Sequence, residues 1–175
     1  MNSGDGRQLQ LIIGSGEERR GSKMEYVIGV ALALAVSVLA TAVGFDRDRA
    51  FYPVIAVVIA SYYGLFAIMG GSTRTLMAES IVITGFVLIS ILGFKLNLWL
   101  VVAALLAHGV FDFIHAYLIS NRGVPAWWPG FCLTYDVAAA GYLAWILRRS
   151  RVDAKMAARF KPETHKPAPD IGAVS

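Results

Sequence analysis

Hydrophobic residues run along this chain in long unbroken blocks, not in alternation. Apolar stretches fall near 24 to 45, 51 to 70, 75 to 93, 97 to 119 and 131 to 147. Each is about 17 to 23 residues, enough at about 1.5 Å per residue to cross a hydrocarbon core of roughly 30 Å. A bilayer offers backbone groups no water, so spanning segments are helices or closed barrels, and blocks without period-two alternation exclude barrel strands. The pattern predicts an all-α fold, a polytopic transmembrane bundle of about five spanning helices.

The polar remainder divides the chain into three. Residues 1 to 23, MNSGDGRQLQLIIGSGEERRGSK, form a Gly-rich polar extension without a spanning period, and a translation start at Met24 would make it non-native. Residues 24 to 148 are the five-helix membrane domain. Residues 149 to 175 turn basic and then Pro-rich, PETHKPAPDIGAVS, a tail without the apolar content to fold, in which His165 is solvated. Arg148, Arg149, Arg151, Lys155, Arg159 and Lys161 flank the last apolar block, and the positive-inside bias puts that end in the cytoplasm. Five crossings then leave the N-terminus outside, with Arg47, Arg49 and Lys95 in cytoplasmic loops and Arg74 and Arg122 outside. Arg19, Arg20 and Lys23 run against this arrangement, and a start at Met24 removes the conflict. The alternative is a first helix cleaved as a signal peptide after ATA at Ala42, which leaves four helices and puts the basic tail on the other side.

Composition fits the same class. Of 175 residues 57% are hydrophobic and 16% charged, with a mean hydropathy of +0.59, more apolar surface than a soluble domain can hide. The net charge of +4 comes largely from the tail and is read as a topology determinant touching anionic headgroups, not as a nucleic-acid surface. The expected partners are the lipid bilayer and a lipophilic small molecule. A single cysteine, Cys132, excludes an intramolecular disulfide and reads as a buried thiol. Ala56, Ala60 and Gly64 recur at four-residue spacing, and AAAGYLA brings small residues to the fifth block, so helices have surfaces for close approach. Trp99, Trp127, Trp128 and Trp145 fall near the expected interfaces as anchors. No internal repeat is visible, and an odd helix count does not suit a simple inverted-repeat transporter.

Ionisable residues inside these blocks change the picture, because such groups usually face a protein interior and mark function. The stretch AHGVFDFIHAY carries His108, Asp112 and His115, which share a helical face about 60° wide. Glu79 in the third block and Asp136 in the fifth are the other intramembrane carboxylates. Counted from the predicted helix ends, Glu79, His115 and Asp136 lie roughly 6 to 8 Å deep, Asp112 about 10 Å and His108 about 16 Å. Three helices thus bring acids and imidazoles to one layer beside the NRGVPAWWPG loop. Tyr135, Ser80 and Thr84 lie near enough to add hydroxyls.

Three chemistries remain open. In a metal site, Asp112, His115, Asp136 and Glu79 would bind zinc, iron or manganese, the Asp112-x-x-His115 spacing letting one helical turn offer two ligands. His108, about 10.5 Å from His115 along the axis, would then be a base or a partner to a ligand. A water activated there would serve hydrolysis of a lipid ester or amide. In a metal-free site, His108 and Glu79 would be the catalytic acid and base of a proton-transfer isomerase or cyclase. In the third, the layer binds a cation, relays protons or joins helices three, four and five by buried ion pairs.

The run HGVFDFIH followed by NRGVPAWWPGFCLTYD resembles the signature of small multi-pass bacterial membrane proteins classed as a domain of unknown function, over roughly residues 50 to 148. That resemblance implies membrane location and no particular activity. More distantly, the polar layer is similar to that of the alkaline-ceramidase and adiponectin-receptor-like hydrolases, which hold zinc with intramembrane histidines and an aspartate. This chain departs from them in its five predicted helices, its two intramembrane histidines and its lack of His-x-x-x-His. The five-helix sterol-isomerase-like proteins are similar in architecture and in residue types alone.

Overall fold

The computed structural model describes residues 3–159, with side chains described for residues 23–150 and 152. Five helices follow one another: α1 (Ser3–Val43), α2 (Phe51–Met69), α3 (Thr73–Lys95), α4 (Trp99–Leu118) and α5 (Trp128–Arg159), with a 3₁₀ turn at Phe45–Arg47. Each contains a segment long and apolar enough to cross a membrane, namely Lys23–Val43, Phe51–Met69, Thr73–Lys95, Trp99–Leu118 and Trp128–Ser150. The fold is the all-α bundle that the hydrophobic blocks predict, the architecture of a multi-pass membrane protein.

Local chemistry sets the helix ends. Pro53 occupies the first turn of α2, where its missing N–H costs nothing. Ser72 caps α3, its hydroxyl accepting from the Thr75 amide at 3.2 Å. After Leu118 the chain turns extended at Ile119 and enters the loop that returns it to α5.

Three boundaries differ from expectation. The backbone of α1 is helical from Ser3, through the polar stretch expected to stand apart from the bundle. α5 begins at Trp128, three residues before the apolar block, with Pro129 in its first turn. It also continues through the basic segment to Arg159, where an unfolded tail was expected, because RRSRVDAKMAAR is rich in Ala, Arg and Lys, which favour helix. The Pro-rich part of the tail, with His165, lies outside the described residues.

α5 lies between α1 and α4, α4 also packs on α3, and α2 packs on α3 and touches α4; consecutive α1 and α2 are not among the closely packed pairs. The small-residue stripe serves as expected, with Ala56, Ala60 and Gly64 buried. Leu105 and Leu143 anchor the core where α4 meets α5. Large apolar side chains such as Ile81, Val110 and Phe113 face outward, as a hydrocarbon solvent requires. On α4 the buried side is Val101, Val102, Ala104, Leu105, His108, Gly109, Asp112 and His115, so the polar stripe points into protein.

Candidate functional site: two linked polar groups in the membrane domain

Five ionisable side chains are withdrawn from the surface, with Glu79 and Asp136 0% exposed, Asp112 1%, His115 2% and His108 3%. The structure divides them into two groups. His108, Asp112 and Asp136 form the first, one ligand atom from each lying within 4.8 Å of the others. His108 Nδ1 is 2.7 Å from Asp136 Oδ2 and 3.2 Å from Asp112 Oδ2. His115 and Glu79 form the second, with Nε2 2.7 Å from Oε1.

The expected ligand set of Glu79, Asp112, His115 and Asp136, with His108 standing apart, is regrouped. His108 joins the two aspartates, while His115 turns to Glu79 on α3. Depth fits the exchange: with α5 starting at Trp128, Asp136 lies about 12 Å from the helix end, between Asp112 at about 9 Å and His108 at about 15 Å on α4. Asp112 pairs within its own helix to the residue four positions earlier, His108, rather than sharing an ion with His115 three positions later.

Tyr63 links the groups, and its role was not foreseen. Its hydroxyl donates to Asp112 Oδ1 at 2.6 Å, and its ring stacks on His115 with centroids 4.1 Å apart. The available signal was its place in the buried stripe with Ala56, Ala60 and Ala67, where a large polar-tipped residue needs a partner. Asn121, in the loop before α5, was also missed. Its amide donates to Glu79 Oε1 at 2.9 Å and to the Tyr63 carbonyl at 3.2 Å. The loop therefore enters the site through an asparagine, while the tryptophans pack elsewhere. Ser80 and Thr84 do not reach it: both are exposed, and each bonds a carbonyl one turn earlier in α3.

Several acceptors in this space have no donor. Among the described residues, none gives a hydrogen bond to the buried Asp112 Oδ2, Asp136 Oδ1 or Glu79 Oε2. A nitrogen such as His108 Nδ1 carries at most one hydrogen, and Asp136 Oδ2 at 2.7 Å is its nearer acceptor. The first group is thus an imidazole facing two carboxylates, short of positive charge, in a place where uncompensated charge is costly. It is a buried His/Asp cluster able to hold a metal ion.

Removing the Tyr63 hydroxyl tests the network directly. Tyr63→Phe should cost about 1.5 to 2 kcal/mol, since Asp112 Oδ1 loses its donor without relief of burial. Unfolding in detergent micelles measures it, and an unchanged midpoint would mean that Asp112 does not depend on this bond.

No protein-family model, curated protein or solved structure matches this chain.

Proposed function

We propose that the protein is a membrane-embedded metal-binding protein in which His108, Asp112 and Asp136 hold a divalent cation and act on a lipophilic substrate. The convergence of these three buried side chains, with two carboxylate oxygens left without donors, carries this reading. Two carboxylates and a neutral imidazole around a divalent ion sum to zero charge, the condition a membrane interior favours. Ligand atoms around a tetrahedral ion with bonds of about 2.1 Å sit roughly 3.4 Å apart. The 2.7 and 3.2 Å separations from His108 Nδ1 therefore need to open by less than an ångström.

One nitrogen and two carboxylates suit zinc, iron or manganese. Three protein ligands also leave a coordination position for a substrate or water, which is how catalytic sites differ from structural ones. Such an ion would supply Lewis-acid chemistry. Tyr63 would hold the far oxygen of Asp112 and fix that ligand's orientation.

A second reading rests on the short contacts themselves. His108 with Asp136 at 2.7 Å and Tyr63 with Asp112 at 2.6 Å are two short hydrogen bonds side by side, with Asp112 Oδ2 3.2 Å from the same His108 nitrogen. Such an arrangement, sharing protons among its acids, would serve proton transfer to a lipophilic substrate without a metal.

Elemental analysis of detergent-purified protein separates the two. The metal reading expects roughly one zinc, iron or manganese per chain, lost in Asp112→Ala and in Asp136→Asn while both variants remain folded. Absence of metal after supplementation, or metal retained in both variants, would overturn it and leave the proton-sharing network.

A further inference from the structure

The chain holds a second feature, separate from the polar groups. α1 and α2 do not pack closely, and the gap between them is backed by α5. It forms a partly open cavity of about 750 Å³. Ile28, Leu32, Val54 and Val58 line its length, a surface suited to an alkyl chain. This volume exceeds what a few stray side-chain gaps provide and falls in the range of ligand pockets.

The end of the cavity beside the start of α5, here called its mouth, has a different chemistry. Tyr62, Trp127, Trp128 and Phe131 gather there, with Trp128 5.0 Å from Tyr62, 5.5 Å from Trp127 and 5.6 Å from Phe131 between ring centroids. Glu25 lies at the same end, its carboxylate in the space that the absent side chain of Gly130 leaves open. No cation among the described residues pairs with Glu25. Aromatic faces attract cations through their quadrupole, and a carboxylate beside them adds full charge to the same preference. An anionic headgroup would meet repulsion at this mouth.

We propose that this cavity binds an amphiphile with an ammonium headgroup, of the choline or ethanolamine kind, its head between Glu25 and the Trp128 cluster and its alkyl chain along Ile28, Leu32 and Val58. The proposal does not depend on metal at His108. It does bear on what reaches that group, because Cys132 lines the cavity and lies one turn before Asp136 on α5.

The experiment titrates the full-length protein in maltoside micelles with palmitoyl lysophosphatidylcholine and, separately, palmitoyl lysophosphatidylglycerol, and reads retained lipid by native mass spectrometry. Both probes carry a phosphate and the same chain, so their difference isolates the ammonium group. The choline lipid should be retained about tenfold more tightly, as expected for an ionic and cation–π contact. Glu25→Gln, a near-isosteric change at a partly exposed position, should remove most of that preference and leave chain binding in place. Trp128→Leu should weaken the choline lipid alone. Equal retention of the two lipids, or a preference unchanged in Glu25→Gln, would overturn the proposal and identify the cavity as a plain groove for acyl chains.

Discussion

Glu79→Ala is expected to cost about 3 to 5 kcal/mol, the range for breaking a buried pair from one side. Two donors converge on Glu79 Oε1, His115 Nε2 at 2.7 Å and Asn121 Nδ2 at 2.9 Å, and the carboxylate is 0% exposed. Alanine removes the acceptor and leaves a cavity, but it does not return the imidazole to water. What remains is a buried polar ring on α4 with no partner from α3, which is why breaking such a pair costs more than the pair contributes. The double variant Glu79→Leu/His115→Leu should recover most of the loss, because apolar packing replaces a pair whose desolvation was itself unfavourable. Asn121 would still hold the Tyr63 carbonyl. Denaturant or thermal unfolding in micelles reads both values. A double variant no more stable than the single one would show that the pair does not account for the loss, and that Glu79 acts through other contacts.

Gly123→Ala should cost about 3 kcal/mol, the upper end for overpacking a tight site. A Cβ at this position would run into the carbonyl of Phe66 at the end of α2 and approach the amide of Gly70 at 3.0 Å. Both obstacles are backbone, so neither can rotate away. The Gly123 amide also donates to Asn121 Oδ1 at 3.2 Å, so moving the loop moves the asparagine whose amide holds Glu79. Two signatures follow: a lower unfolding midpoint, and a smaller additional loss when Asn121→Ala is placed on the Gly123→Ala background than on the parent. Fully additive effects would mean that the loop and the Glu79 site are independent.

These effects separate what the chain announces from what its packing chooses. The length of each apolar block fixed five membrane-length helices, since helical rise and bilayer thickness leave little freedom. The period of α4 placed His108, Asp112 and His115 on one face, and that face is buried. Small residues at Ala56, Ala60 and Gly64 marked a packing surface for the same reason.

Partner choice was not legible. Whether His115 meets Glu79 or Asp136 depends on the rotation and depth of helices on three sides, and a start of α5 three residues earlier sets Asp136 deeper, between Asp112 and His108. Ser80 lies near enough to the layer in sequence to add a hydroxyl, yet it falls on the outer face of α3 and satisfies its hydroxyl within its own helix. Tyr63 and Asn121 join the site only because α2 and the loop are carried to α3 and α4 by the fold. Local periodicity and block length are properties of the chain and can be read from it. The contacts among these five side chains depend on how helices approach one another, a sum of many weak packing terms spread over several elements, and the tertiary structure alone decides it.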